Sequence, residues 1–191
     1  EAVLVYQSYN RSIGEWAVTH GCFTGAPGWS NTRMTWIKTS FLWMMHRNGW
    51  GTKHNQEVTL GIWIKRSAFE RILSHAREVG GAPKPNAERE TVRLQWDPCH
   101  TPQGGKHDET AGSRRDIQLG LRNAKTLFEN GDDIVKIIDL SQFVAEQRAK
   151  LMMKSSSDEI EMPVETIYPV PPSIAESIGH GTIPSPLLVS K

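Results

Sequence analysis

The stretch Arg33–Trp50, RMTWIKTSFLWMMHRNGW, governs how the rest of the chain is read. It holds three of the seven tryptophans, three of the six methionines and the cations Arg33, Lys38 and Arg47. Between Thr35 and Arg47 the apolar residues Trp36, Ile37, Phe41, Leu42, Met44 and Met45 recur at three- and four-residue steps. That spacing predicts an amphipathic helix with a wide apolar face. Its end is expected near Asn48-Gly49, where glycine supplies a left-handed residue. Arg33, Lys38, Ser40 and Arg47 are left on a narrow polar stripe. Burying an unpaired charge is costly, so the stripe is expected to line a cleft or meet an anionic partner. The alternative is a core helix whose Lys and Arg stems lie along apolar surface with their charged ends in water. Composition does not choose between them.

Upstream, Ala2 to Gln7 reads as a strand, and Asn10 or Ser12 can cap a helix running to about His20. Gly21 to Asn31, GCFTGAPGWSN, has loop chemistry. Downstream, Val58, Leu60, Ile62 and Ile64 alternate with other residues as a half-buried strand does. Ser67 with Glu70 forms a capping box for a helix to about Glu78. Val92, Leu94 and Trp96 alternate in a strand that stops at Asp97-Pro98, and Ile117, Leu119 and Leu121 alternate in another. Between them, Pro98 to Gly112 lacks periodicity and is expected to be a mobile loop. A short helix over Asn123 to Glu129, a strand over Ile134 to Ile138 and a helix over Leu140 to Lys154 follow. From Ser155 the chain is Ser- and Pro-rich, an extended segment wrapped over the domain with loosely held last residues. Strands and helices mix without regular βαβ alternation. The expected fold is a single α+β domain with a mostly antiparallel mixed sheet, packed helices and an extended C-terminal segment.

At 191 residues the chain is long enough to bury a real core within one domain. The net charge of +1 argues against a uniformly basic nucleic-acid coat. It conceals an asymmetry, since carboxylates dominate after Phe128 and cations before about Lys125. The two cysteines, Cys22 and Cys99, have no zinc-type spacing and suggest a reducing compartment. No signal-peptide pattern opens the sequence and no apolar run is long enough to span a membrane, so a cytoplasmic protein is expected.

The sequence contains no P-loop, no G-x-G-x-x-G after a strand, no H-E-x-x-H and no G-x-S-x-G. Cys99, His100, His107 and Asp108 share one loop, which reads either as a metal site or as a solvated loop. A hydroxyl beside a desolvated lysine can act as a nucleophile, so Lys38 and Ser40 form a catalytic candidate. Capping or core hydrogen bonding of Ser40 is the competing reading. Gln95, Asp97, Arg115 and Gln118 lie on or at the ends of two strands, where polar side chains either face solvent or converge on a cleft. Asp158 and Glu161 make a D-x-x-E pair, with Glu165 just beyond. These carboxylates either hold a guanidinium or form a solvated acidic turn.

With those residues in hand, the chain resembles the family called domain of unknown function 4291. The resemblance rests on VYQSY (Val5–Tyr9), the Arg33–Trp50 motif, Lys53–Glu57, VRLQWDP (Val92–Pro98), RRDIQLGL (Arg114–Leu121) and MPVETIYPVP (Met162–Pro171). The family pattern has proline where this chain has Thr39. The family looks like the one containing fungal arginine-containing cyclodipeptide synthases, which join amino acids from aminoacyl-tRNAs into cyclo-arginine-Xaa dipeptides. The resemblance implies a catalytic domain over residues 1–172 and an extended tail over residues 173–191. It also implies arginyl-tRNA and a second charged tRNA as partners, with no metal or other cofactor. Fitted to that activity, Lys38, Ser40 and Glu165 are the catalytic candidates. Tyr6, Arg33, Trp36, Arg47, Asp97, Gln118 and Glu161 are the substrate-binding ones, with Asp158 to Glu161 matching a D-x-x-E motif associated with those synthases. Two other readings stay open. One is an ADP-ribosyltransferase-like enzyme with Tyr6 and Gln118 lining a nicotinamide cleft and Glu165 as acid. The other is a non-enzymatic RNA-binding module stacking bases on Trp36, Trp43 and Trp50.

Overall fold

The strand β1 (Ala2–Tyr9) is the axis of the molecule, because both of its faces are covered. Val3 and Val5 point into one apolar core, and Leu4 and Tyr6 into another. This is the period-two alternation of a strand sandwiched between helices. The computed structural model describes residues 1–78, 92–106, 115–122, 125–128, 130–153, 160–176, 178–179 and 187–190.

Around β1 the sheet grows on both edges. β3 (Val58–Lys65) pairs antiparallel along its whole length, from Ala2↔Lys65 to Tyr9↔Val58. β7 (Ile134–Asp139) lies beyond β3. The other edge of β1 is shared, with β2 (Thr35–Lys38) pairing at Tyr6↔Lys38 and β9 (Leu188–Ser190) at Leu4↔Ser190. Outward from β2 come β6 (Arg115–Leu121), β5 (Val92–Pro98) and β4 (Ala76–Glu78). β8 (Glu165–Ile167) pairs with β9. Among the described residues only β4 and β5 pair in parallel.

Helices cover both faces. α1 (Arg11–His20) and α3 (Arg66–His75) bury Ile13, Ala17, Phe69, Ile72 and Leu73 on the Val3/Val5 side. α2 (Phe41–Asn48) and α5 (Ser141–Met152) bury Phe41, Met44, Met45 and Val144 on the Leu4/Tyr6 side. The short α4 (Lys125–Phe128) and α6 (Pro172–Ala175) add Leu127, Phe128 and Ile174 to the first core. This is the expected α+β domain with a mostly antiparallel mixed sheet. Among the described residues no helix is long and apolar enough to cross a membrane.

The central stretch departs from the expected single helix. Thr35–Lys38 is a strand, and the helix starts only at Phe41. Thr35, Trp36 and Ile37 are β-branched or aromatic and pair along β6, while Lys38 pairs with Gln118 of β6 on one side and Tyr6 of β1 on the other. Ser40 then begins the helix, its Oγ accepting from the Trp43 backbone N–H at 3.3 Å. Gly49 closes it in the left-handed conformation at φ 59°. The expected capping box is absent as well. α3 starts at Arg66 without a side-chain cap, and Glu70 instead accepts from Arg66 Nε at 3.0 Å and from the Tyr168 hydroxyl at 3.2 Å. That helix ends at His75, and Ala76–Glu78 leaves it as β4.

Among the described residues, parts of the two segments expected to be loose are hydrogen-bonded and buried. The segment after Pro98 turns back on itself, with Thr101 N–H donating to Gly105 at 2.8 Å and Cys99 and His100 buried. Residues 107–114, including His107 and Asp108, lie outside the described residues, as does Asp158. Near the C-terminus, Val189 and Ser190 are buried in β9, and the Trp96 indole donates to Ile178 O at 2.9 Å.

Candidate active site

Strand register assembles the site. Tyr6 pairs with Lys38, Lys38 with Gln118, and Gln118 with Gln95. Directly paired residues share a face, so one row of polar side chains crosses four strands. Asp97 stands two residues beyond Gln95 on the same face of β5. Trp36 stands two residues before Lys38 and pairs with Gly120. A Cβ at Gly120 would lie 3.0 Å from the Trp36 ring, so glycine is what lets the indole lie over β6.

A cleft of two lobes that share lining residues opens beside this row. The larger lobe, about 530 Å³, is lined by Trp36, Lys38, Trp43, His46, Arg47, Lys53, Gln95, Asp97 and Gln118. The smaller, about 350 Å³, includes Gln7, Tyr9, Trp29, Arg33, Thr35, Asn55 and Gln56. Trp36, Lys38 and Arg47 line both lobes. The volumes are those of small-molecule sites.

Electrostatics single out Lys38, which is 5% exposed. Burial, reinforced by the Arg47 charge, pushes its ammonium down to about 8, with Asp97 opposing. A substantial fraction is therefore neutral amine in weakly alkaline solution, a proton acceptor in a cleft. Burial raises the Asp97 carboxyl, while the Gln118 hydrogen bond and the charges of Lys38 and Arg115 act the other way. Gln118 Nε2 donates to Asp97 Oδ2 at 2.6 Å and to Gln95 Oε1 at 3.2 Å. His46 titrates below the usual histidine range, through burial and then the charges of Arg47 and Lys53. Among the described residues no three His, Cys, Asp or Glu side chains are grouped so as to hold a metal ion.

The family model described as Domain of unknown function (DUF4291) matches residues 1–168. The chain belongs to that family. The described residues that line both lobes all fall within the matched region. Neither the comparison with curated proteins nor that with solved structures found a match.

In this DUF4291 chain the residues singled out in the sequence separate into groups. Trp36, Lys38, Arg47, Asp97 and Gln118 share the larger lobe, and Arg33 lines the smaller. Ser40 is buried as the cap of α2 and lines neither lobe. Tyr6 is fully enclosed, its ring edge-on to Phe41 at 5.6 Å. Burial pushes its phenol far up, and the charge of Glu165 adds to this. Glu165 pairs with Ser190 across β8 and β9. Glu161 is tied to α5, its carboxylate accepting from Lys150 at 2.7 Å and its N–H donating to Gln147 at 2.8 Å. Trp43 and Trp50 are each 9% exposed, leaving Trp36 as the more open of the three supposed stacking tryptophans.

Sequence reasoning missed the aromatic stack beside the larger lobe and a hydrogen-bonded set in the smaller. Trp43, His46 and His100 form a stack, with the two imidazoles 3.7 Å apart. Only the fold brings the turn after β5 onto α2. Gln7, Tyr9 and Thr35 form a hydrogen-bonded set, with Tyr9 and Thr35 hydroxyls 2.7 Å apart. The signal in the sequence was Gln7 itself, a polar residue inside an apolar strand.

Proposed function

We propose that the chain is an aminoacyl-tRNA-dependent cyclodipeptide synthase that joins arginine to a second amino acid. The observation that carries this reading is the position of Lys38. Lys38 lines both lobes of one cationic cleft, whose larger lobe has Asp97 as the one carboxylate among its described lining residues. A reaction between two activated amino acids needs two adjoining pockets and a proton acceptor between them, because the ester bond already carries the driving force.

In the first step the α-amine of one aminoacyl ester attacks the carbonyl carbon of the other. A C–N bond forms, the ester C–O bond breaks, and the ribose oxygen of the tRNA leaves. Lys38, entering as the neutral amine, takes the proton from the attacking nitrogen and returns it to the leaving oxygen. Cyclisation repeats the exchange within the dipeptidyl ester and releases the second tRNA. Asp97, held by Gln118, faces the arginine guanidinium, for which a carboxylate offers two parallel hydrogen bonds. The exposed cations Arg33, Arg47 and Lys53 rim the cleft and meet tRNA phosphates. Charged tRNA as substrate carries with it a cytoplasmic location.

The test is to incubate the protein with tRNA, synthetases, ATP, arginine and the other amino acids and search for diketopiperazines by mass. An arginine-containing product that disappears on ribonuclease treatment is expected, and its absence contradicts the proposal.

A further inference from the structure

We infer that the smaller lobe is the subsite for the second aminoacyl group, and that it takes a neutral or acidic side chain while refusing lysine and arginine. The inference rests on the synthase reading and adds to it which class of amino acid the second pocket accepts.

Three observations carry it. The first is adjacency, since Trp36, Lys38 and Arg47 belong to both lobes, so ligands in the two would have these three residues as common neighbours. The second is charge. The described residues lining the smaller lobe include Arg33, Lys38 and Arg47 but no Asp or Glu. Glu57, next in sequence to the lining residue Gln56, is engaged by the Asn55 N–H at 2.8 Å and lies 3.8 Å from His54. A further cation entering this lobe would lose hydration without gaining a counter-charge, whereas a carboxylate would gain the guanidinium charges of Arg33 and Arg47.

The third is an unmet hydrogen bond. Gln7 is 2% exposed, yet it lines the lobe. Its Nε2 donates to Thr35 Oγ1 at 3.1 Å and to Trp36 O at 3.4 Å, which fixes the amide. Oε1 is then left buried and without a partner among the described residues. A buried acceptor of this kind calls for a donor, and the α-amine of an aminoacyl ester is one. The Trp29 and Trp36 indoles bound the same space and supply apolar surface for the side chain.

Selectivity follows from the missing counter-charge, so altering the charge should alter the partner. In the reconstituted reaction with all amino acids present, wild-type product should pair arginine with neutral or acidic residues. Lysine and arginine partners should be lower on the order of tenfold or more. Arg33→Glu, at an exposed position, should raise the lysine-containing share on the order of tenfold. Gln7→Glu should move it in the same direction. Binding is read separately in Lys38→Met, by quenching of tryptophan fluorescence with phenylalanine, glutamate and lysine methyl esters. Lysine ester should bind weakest. A wild-type product whose main partner is lysine or arginine, or a lysine ester that binds as tightly as the phenylalanine ester, overturns the inference alone. Absence of any diketopiperazine with the ester preference intact overturns the synthase reading and leaves the charge selectivity standing.

Discussion

The Gln118 amide nitrogen lies 2.6 Å from Oδ2 of Asp97, a hydrogen bond that crosses from β6 to β5 and holds a half-buried carboxylate at the cleft. It follows from register, since Gln95 and Gln118 are direct partners and Asp97 is two residues further along the same face. The bond opposes the effect of burial and helps keep Asp97 ionised in the position where a guanidinium would be read.

Asp97→Asn keeps the shape and the Gln118 contact but removes the charge. Product formation from arginyl-tRNA should fall on the order of a hundredfold, the effect of a lost charge-assisted pair in the transition state. Glu161→Gln should leave the rate nearly unchanged, because that side chain is paired with Lys150 and lines neither lobe. Comparing initial rates of the two folded variants decides which carboxylate reads arginine.

Much of this site was legible before the fold. The alternation that made strands of Val92–Pro98 and Arg115–Leu121 also put Gln95, Asp97 and Gln118 on faces where polar residues mark a cleft or solvent. Asn10 as a cap and Gly49 as a stop were equally readable. The junction at Thr39-Ser40 was not. Trp36, Ile37, Phe41, Met44 and Met45 satisfy helical spacing by accident, because both faces of β2 and most of α2 are covered and leave no clean period. Long-range pairing of Thr35–Lys38 with β1 and β6 outweighs that local pattern. The Trp43–His46–His100 stack depends on the same tertiary placement, and no local signal announces it.

Lys38 gives the account a pH signature. If its neutral amine takes the proton, the rate should rise with pH through an inflection near 8, the value to which burial and Arg47 push the group. Stability carries the same sign. The unfolded chain binds this proton up to the ordinary lysine value of 10.5, whereas the folded chain gives it up near 8. Stability should therefore gain a contribution between those two pH values, with the penalty fully present below them. Lys38→Met should lose both the activity and that pH-dependent gain, and should melt no lower than wild type at neutral pH. Rate profiles and melting curves from pH 6 to 10 check this.

Gly120 should be intolerant of a side chain. Its Cβ would meet the Trp36 ring at 3.0 Å and the Met34 sulfur at 3.1 Å, so Gly120→Ala must shift a residue that lines both lobes. Overpacking of this kind costs roughly 1–3 kcal/mol. A lowered melting temperature together with a loss of activity larger than that of Gly105→Ala, in the turn after β5, is the expected outcome.

Binding of tRNA should weaken steeply with salt, because each neutralised phosphate releases counterions. Replacing Arg33, Arg47 or Lys53 singly by Gln should reduce the slope of log affinity against log salt by about 1 each. Fluorescence anisotropy with labelled tRNA between 50 and 200 mM salt, roughly the range over which such contacts are screened, measures it. An affinity flat across that range removes tRNA as the ligand.

The central claim is that two aminoacyl groups meet at Lys38, and one side-by-side measurement addresses it most directly. Wild type and Lys38→Met are given arginine, the other amino acids, tRNA, synthetases and ATP, and diketopiperazines are quantified by mass with and without ribonuclease. The account predicts an arginine-containing diketopiperazine from wild type alone, abolished by ribonuclease, while the folded variant still binds tRNA. No diketopiperazine from wild type, or equal yields from the two proteins, would contradict it.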